Sequence, residues 1–269
     1  MGQTLLPLPR MFLRAFRIAT PLLLCMSACT PTDRVPAYLT LNDAVVNTDL
    51  VNQGAGTHKI TCEWVYANDQ LLGVWDANAE IPVLDQGDIG LRMVAGIPRN
   101  GVVNDRIQYP FYKPFQGSAA LLPENSTWVT PIFSYHDNLV YFVDRFEPGG
   151  FTVEVLADSA SSLVLETDPL LAKEGTGCGK VVLDTAHNLL RFADFESIDV
   201  SAGPVFMELD YRCDHRFLVG AYYNISGTVQ QTPYLFVAPT KRADGGMPWN
   251  KIYVDLTQLL NVAGTTEKK

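Results

Sequence analysis

His58-Lys59-Ile60-Thr61-Cys62-Glu63-Trp64-Val65-Tyr66 alternates polar and apolar side chains with a period of two. That period is the signature of a half-buried β-strand, not of a helix. The even residues, Ile60, Cys62, Trp64 and Tyr66, are expected to face a core. Lys59, Thr61 and Glu63 are expected to face water. Asn68-Asp69 is a turn signal, and Leu71 to Trp75 returns as the hairpin partner. Further short strands are expected near 81–84, 89–95, 105–112, 117–122 and 127–134. Gly, Pro and Asn punctuate them at Asp85-Gln86-Gly87, Pro98 to Gly101 and Pro123 to Asn125. No stretch carries a 3.6-residue apolar stripe. Residues 37–136 therefore read as a small β-sandwich.

A second set of strands begins near Asp137-Asn138. Val140–Glu147 opens it, and Phe151–Ala157, Ser162–Glu166, Lys180–Asp184, Leu189–Phe192, Val205–Cys213, Leu218–Ile225, Tyr234–Ala238 and Lys251–Leu256 continue it. The expected fold class is all-β: two consecutive antiparallel β-sandwich modules, 37–136 and 137–269.

The chain's start gives an address. Arg10, Arg14 and Arg17 precede the apolar run Ile18–Met26, which ends in Ser27-Ala28-Cys29. A charged segment, a short apolar segment and small residues at a cut form a secretory signal, here residues 1–28. The uncharged run to Thr32 is 15 residues, and a spanning helix needs about 20. Removing the signal takes three arginines and no acid. The mature chain has 17 basic and 29 acidic residues, a net charge of −12. That charge disfavours nucleic acid as a partner.

Exported chains meet oxidising conditions. Beyond Cys25 and Cys29 the cysteines are Cys62, Cys178 and Cys213, and three cannot all pair internally. Cys178–Cys213 is the first choice, since both lie in one module; closing that loop would stabilise by about 4 kcal/mol. Three buried thiols is the alternative. His58, His136, His187 and His215 are scattered, without zinc spacing.

Several stretches carry family resemblances. Ser27-Ala28-Cys29 resembles the bacterial lipoprotein signal, in which the cysteine is lipidated and becomes the first mature residue. The resemblance implies an outer-membrane lipid anchor at Cys29, with residues 29–36 as a tether. Trp64 to Gly73, Gly90 to Gly96 and Tyr109-Pro110-Phe111-Tyr112 resemble PEGA/prealbumin-like (Ig-like) sandwich modules of bacterial envelopes. Asp144-Arg145-Phe146-Glu147, Gly175 to Leu183, Val205 to Tyr211 and Trp249 to Leu256 resemble a carbohydrate-binding-module-like jelly roll, without its last strands. Together these resemble two-module surface lipoproteins of the Bacteroidetes type. The resemblance implies glycan as a ligand and a structural calcium at Glu147, with Asp144 the weaker ligand. No other cofactor is implied.

The function this supports is a non-catalytic, cell-surface lipoprotein that binds polysaccharide. Tyr222, Tyr223, Tyr234 and Trp249 are the candidate stacking residues, because flat rings pack against sugar faces. A protein–protein module of an envelope assembly is a second reading. A glycoside hydrolase is a third. In Val205–Cys213 the odd residues point to a core, while Glu208 and Asp210 share the other face, expected to be solvated near Arg212. Two such carboxylates about 5 Å apart serve retaining hydrolysis. The pair resembles the start of a laminarinase-type signature, but Arg212 and Cys213 stand where a third carboxylate belongs. Arg106 to Phe115 is the most aromatic stretch, and reads as packing at the end of a sandwich or against the second module more than as a ligand platform.

Overall fold

A computed structural model of the protein describes residues 34–198, 200 and 203–269. The signal, Cys29 and most of the tether lie outside the described residues. Nearly all the regular structure is β. One four-residue helix, α1 (Thr257–Leu260), occurs among the described residues.

The first half holds eleven strands: β1 (Ala37–Leu41), β2 (Val45–Asn47), β3 (Cys62–Ala67), β4 (Gln70–Asp76), β5 (Glu80–Val83), β6 (Gly87–Pro98), β7 (Arg106–Gln108), β8 (Tyr112–Lys113), β9 (Phe115–Leu121), β10 (Ser126–Val129) and β11 (Ile132–Tyr135). One layer is the antiparallel sheet β4-β3-β6-β7, with β9 also pairing β6. The other comprises β10-β1-β5 and β2-β11-β8. Leu39, Leu41, Ile81 and Phe133 from the second layer meet Val65, Ile89, Met93 and Leu121 from the first in one core. Two pairings are parallel, β1 with β10 and β2 with β11. The sequence reading was antiparallel throughout; local turn signals report hairpins, and these strands are far apart in the chain. The Asn68-Asp69 turn is as expected. Both residues have positive φ, 46° and 64°, as a two-residue type I′ turn requires.

The buried face of β3 is the reverse of the sequence reading. Glu63, Val65 and Ala67 are fully buried, as is Cys62 where the strand begins. Trp64 and Tyr66 are half-buried on the other face, where the Arg92 guanidinium lies 3.6 Å from the Tyr66 ring centre. The large rings take the less enclosed side, and a carboxyl takes a place in the core.

In the second half, Val140–Glu147 forms no strand. Two small ladders follow: β12 (Val153–Val155) with β15 (Phe192–Asp194), and β13 (Leu163–Glu166) with β14 (Cys178–Val181). Next come β16 (Phe206–Tyr211), β17 (Phe217–Ile225), β18 (Thr228–Val237), β19 (Asn250–Asp255) and β20 (Thr265–Thr266). β16 pairs β19; β17 pairs β18 and β20. A closing strand is thus present in short form, and Tyr222 and Lys269 exchange backbone hydrogen bonds beside it.

The β16–β19 ladder is covered on both faces. Met207 and Leu209, with Ile252 and Val254, pack against Phe217, Val219 and Leu235. From the other face, Tyr253 and Phe206 enter the core of the first half, where Tyr253 is fully buried. Its ring centre lies 4.9 Å from that of Tyr109, and its hydroxyl accepts from Lys59 N. The aromatic stretch around Tyr109 and Tyr112 therefore packs inward against the second half.

Candidate functional site

Period two puts Glu208 and Asp210 on the face of β16 that turns to the first half, opposite Tyr253 and Lys251 of β19. That face is covered, not solvated. Glu208 Oε1 accepts hydrogen bonds from the hydroxyls of Tyr109 and Tyr135, each at 2.7 Å, and Lys251 Nζ stands 2.9 Å from Oε2. Asp210 Oδ2 accepts from Thr57 Oγ1 at 2.6 Å and lies 3.5 Å from the same ammonium. Arg212, expected as the partner, is not used. The Lys251 side chain is 8% exposed. Burial, then the Glu208 carboxylate, drives the Tyr109 and Tyr135 phenols far above their ordinary range. They remain donors, and the cluster reads as a closed ionic clamp between the halves.

Beside the clamp the surface opens. A cleft of about 420 Å³ lies where the loop after β18 meets the end of β6 and the segment before β3. Trp249, Tyr211 and Phe236 supply rings; Lys59, Asn100 and Arg242 supply polar groups. Asn100 and Gly101 make the tight turn after β6, with φ of 56° and 73°. A Cβ on Gly101 would touch Ile252, so this turn sits directly on β19. Pro239 and Pro248 lie on the loop's flanks.

Lys59 and Asn100 are held in fixed orientations. Lys59 Nζ donates to Asn250 Oδ1 at 2.6 Å, and Asn250 Nδ2 donates to the Tyr211 hydroxyl at 3.0 Å. That hydroxyl donates to Ala238 O. Asn100 Oδ1 accepts from Asp255 N, while its Nδ2 donates to the Tyr234 hydroxyl. Burial pulls the Lys59 ammonium below its ordinary range. Arg212 lies 5.6 Å from the Trp249 ring centre, and Arg216 4.7 Å from that of Phe236.

The four aromatic residues singled out from sequence separate into two pairs. Trp249 lines the cleft, and Tyr234 joins its edge through Asn100. Tyr222 and Tyr223 lie further along the β17–β18 hairpin, opposite Gln231 and Gln230. Tyr223 packs against Ala221, Leu259 and Leu260, with its hydroxyl on Thr232. The expected Cys178–Cys213 bridge is not formed: both are free thiols, with Sγ atoms near Leu171 O and Ala238 O respectively. Asp144 bonds Phe146 N and Thr152 N, and Glu147 bonds Thr176. The two carboxylates thus each close a loop, and among the described residues no three His, Cys, Asp or Glu side chains cluster as metal ligands. Lys59, Asn100, Tyr211 and Arg242 had no distinguishing sequence signal. Only the tertiary contact between the halves gathers them.

Neither a family model nor a curated protein matches the chain by sequence, so the site is interpreted from its own geometry.

Proposed function

We propose that the protein is a surface lipoprotein whose β-sandwich framework binds carbohydrate in the Trp249 cleft. One observation carries this reading. A ring is held beside amide, hydroxyl and ammonium groups in an open recess of about 420 Å³, the size range of small-molecule sites. Sugars offer an apolar face and a rim of hydroxyls, which such a recess meets with a ring and oriented hydrogen-bonding groups. The fixed orientations of Asn250, Asn100 and Tyr211 limit the entropy lost on binding. Export and lipidation at Cys29 rest on the signal sequence alone and are part of the proposal.

Binding without hydrolysis is the expected behaviour. Glu208 and Asp210, the residues a hydrolase reading needs, are engaged by Lys251, Tyr109, Tyr135 and Thr57, and neither lines the cleft. The test is affinity electrophoresis on a polysaccharide panel, with reducing-sugar release measured in parallel. Retention lost in Trp249→Ala, with no sugar released, supports the proposal. Hydrolysis lost in Glu208→Gln would overturn it in favour of an enzyme.

A further inference from the structure

The chain carries a net charge of −9, yet the cleft wall carries Lys59 and Arg242 and no carboxylate. Two more cations, Arg212 and Arg216, lie over Trp249 and Phe236, which are themselves wall residues. Among the described residues none of these four is within 4 Å of an acid. Seven cations elsewhere are paired, Arg99, Arg106, Lys113, Lys180, Arg191, Lys251 and Lys269, and the other unpaired ones are spread along the chain from Arg34 to Lys268. The acids nearest in sequence make other contacts. Asp214 pairs with His215, and Asp244 accepts from Gly246 N. In a chain with more acids than bases, four cations with no acid within 4 Å gather around one recess and make a local excess of positive charge.

We infer that the cleft selects anionic carbohydrate, a polysaccharide bearing carboxylate or sulfate groups. The inference rests on the carbohydrate-binding reading above and narrows it. Trp249 supplies the stacking surface. Arg242 offers a planar fork of donors suited to carboxylate or sulfate oxygens. Lys59 supplies a second charge, held by Asn250 at the cleft wall. The cations over Trp249 and Phe236 add charge at the rim, where it favours encounter more than final affinity. The rest of the acidic surface repels polyanions, so binding is confined to this recess.

The experiment runs the purified protein through gels containing polygalacturonate, chondroitin sulfate or a neutral β-glucan, at low and high salt. Mobility is expected to fall in at least one anionic gel and not in the neutral one, and the retention to weaken as salt screens the contact. Comparing the two anionic gels separates carboxylate from sulfate recognition. Arg242→Gln and Lys59→Gln should each weaken the retention about tenfold or more, as loss of a charged hydrogen bond implies, with unchanged far-UV circular dichroism. Retention in the neutral gel alone, or equally in all three, overturns the anionic inference and leaves carbohydrate binding standing. Anionic retention indifferent to both substitutions also overturns it, because the charge would then be read elsewhere. Retention in none of the gels overturns both readings.

Discussion

Lys251 stands 2.9 Å from Glu208 and 3.5 Å from Asp210, its side chain 8% exposed, at the seam where strand β19 meets the first sandwich. One ammonium thus bridges two carboxylates contributed by the neighbouring strand. Removing it leaves Glu208 charged among Tyr109, Tyr135 and Tyr253 with only phenol donors. Lys251→Met is expected to lower the unfolding free energy by about 3 kcal/mol, the order seen when one partner of a buried pair is removed. The double substitution Lys251→Met with Glu208→Gln should recover a substantial part of the loss. Urea midpoints of both variants check this.

Glu63 supplies the pH dependence. It is fully buried, and neither carboxyl oxygen has a hydrogen-bond partner among the described residues. Burial, then the charges of Asp43 and Asp76, pushes its pKa up to about 7. The unfolded chain holds an ordinary glutamate, near 4.3. Between these values the folded protein keeps a proton that the unfolded chain has lost. Stability from this group is full below about pH 4, falls as pH rises, and is lost once pH passes about 7, at about 1.4 kcal/mol per unit across the window. Glu63→Gln should flatten that stretch of the stability–pH curve and raise stability at pH 8. A curve unchanged by the substitution would show that the carboxyl has found a partner.

The thiols give a chemical test. Cys178 and Cys213 are partly exposed and free, whereas Cys62 is fully buried against Gly96. Burial raises all three pKa values, so alkylation is expected to be slow at neutral pH. Peptide mapping should find Cys178 and Cys213 labelled in the native protein and Cys62 labelled only after unfolding. Recovery of a Cys178–Cys213 disulfide peptide would contradict the arrangement.

Gly96 is a packing test. It lies opposite Cys62 on the adjacent strand, and a methyl group there would run into Cys62 Sγ and the Trp64 ring. Gly96→Ala is expected to cost about 1–3 kcal/mol through overpacking, read as a lower melting temperature. Gly87→Ala has open space around its Cβ but a φ of 80°, so backbone strain alone should produce its smaller loss.

The all-β class, the Asn68-Asp69 turn and most strand positions were legible because turns and period-two patterns are local. What covers each face was not. The pattern placed Glu208 and Asp210 together correctly, yet it carried no information that Tyr109, Tyr135 and Lys251 close over them. It inverted β3, because Trp64 and Tyr66 look more like core than Glu63 does. For the site, Trp249 stood out by residue type alone. Lys59 and Asn100 reach the cleft only through their long-range contacts with Asn250 and Asp255.

Tyr253 also sets an order of events during synthesis. The first sandwich is made early, yet the ring that completes its core lies 141 residues beyond Tyr112 in the chain. Until then Tyr109 and Tyr112 face a gap. Such late, distant closure slows folding and prolongs a partly open intermediate. Under the export proposed above that delay would be useful, since a polypeptide that has not locked can still be threaded through a membrane pore. Nascent chains halted before residue 250 should accordingly stay sensitive to protease across the first sandwich, and gain resistance once β19 is released.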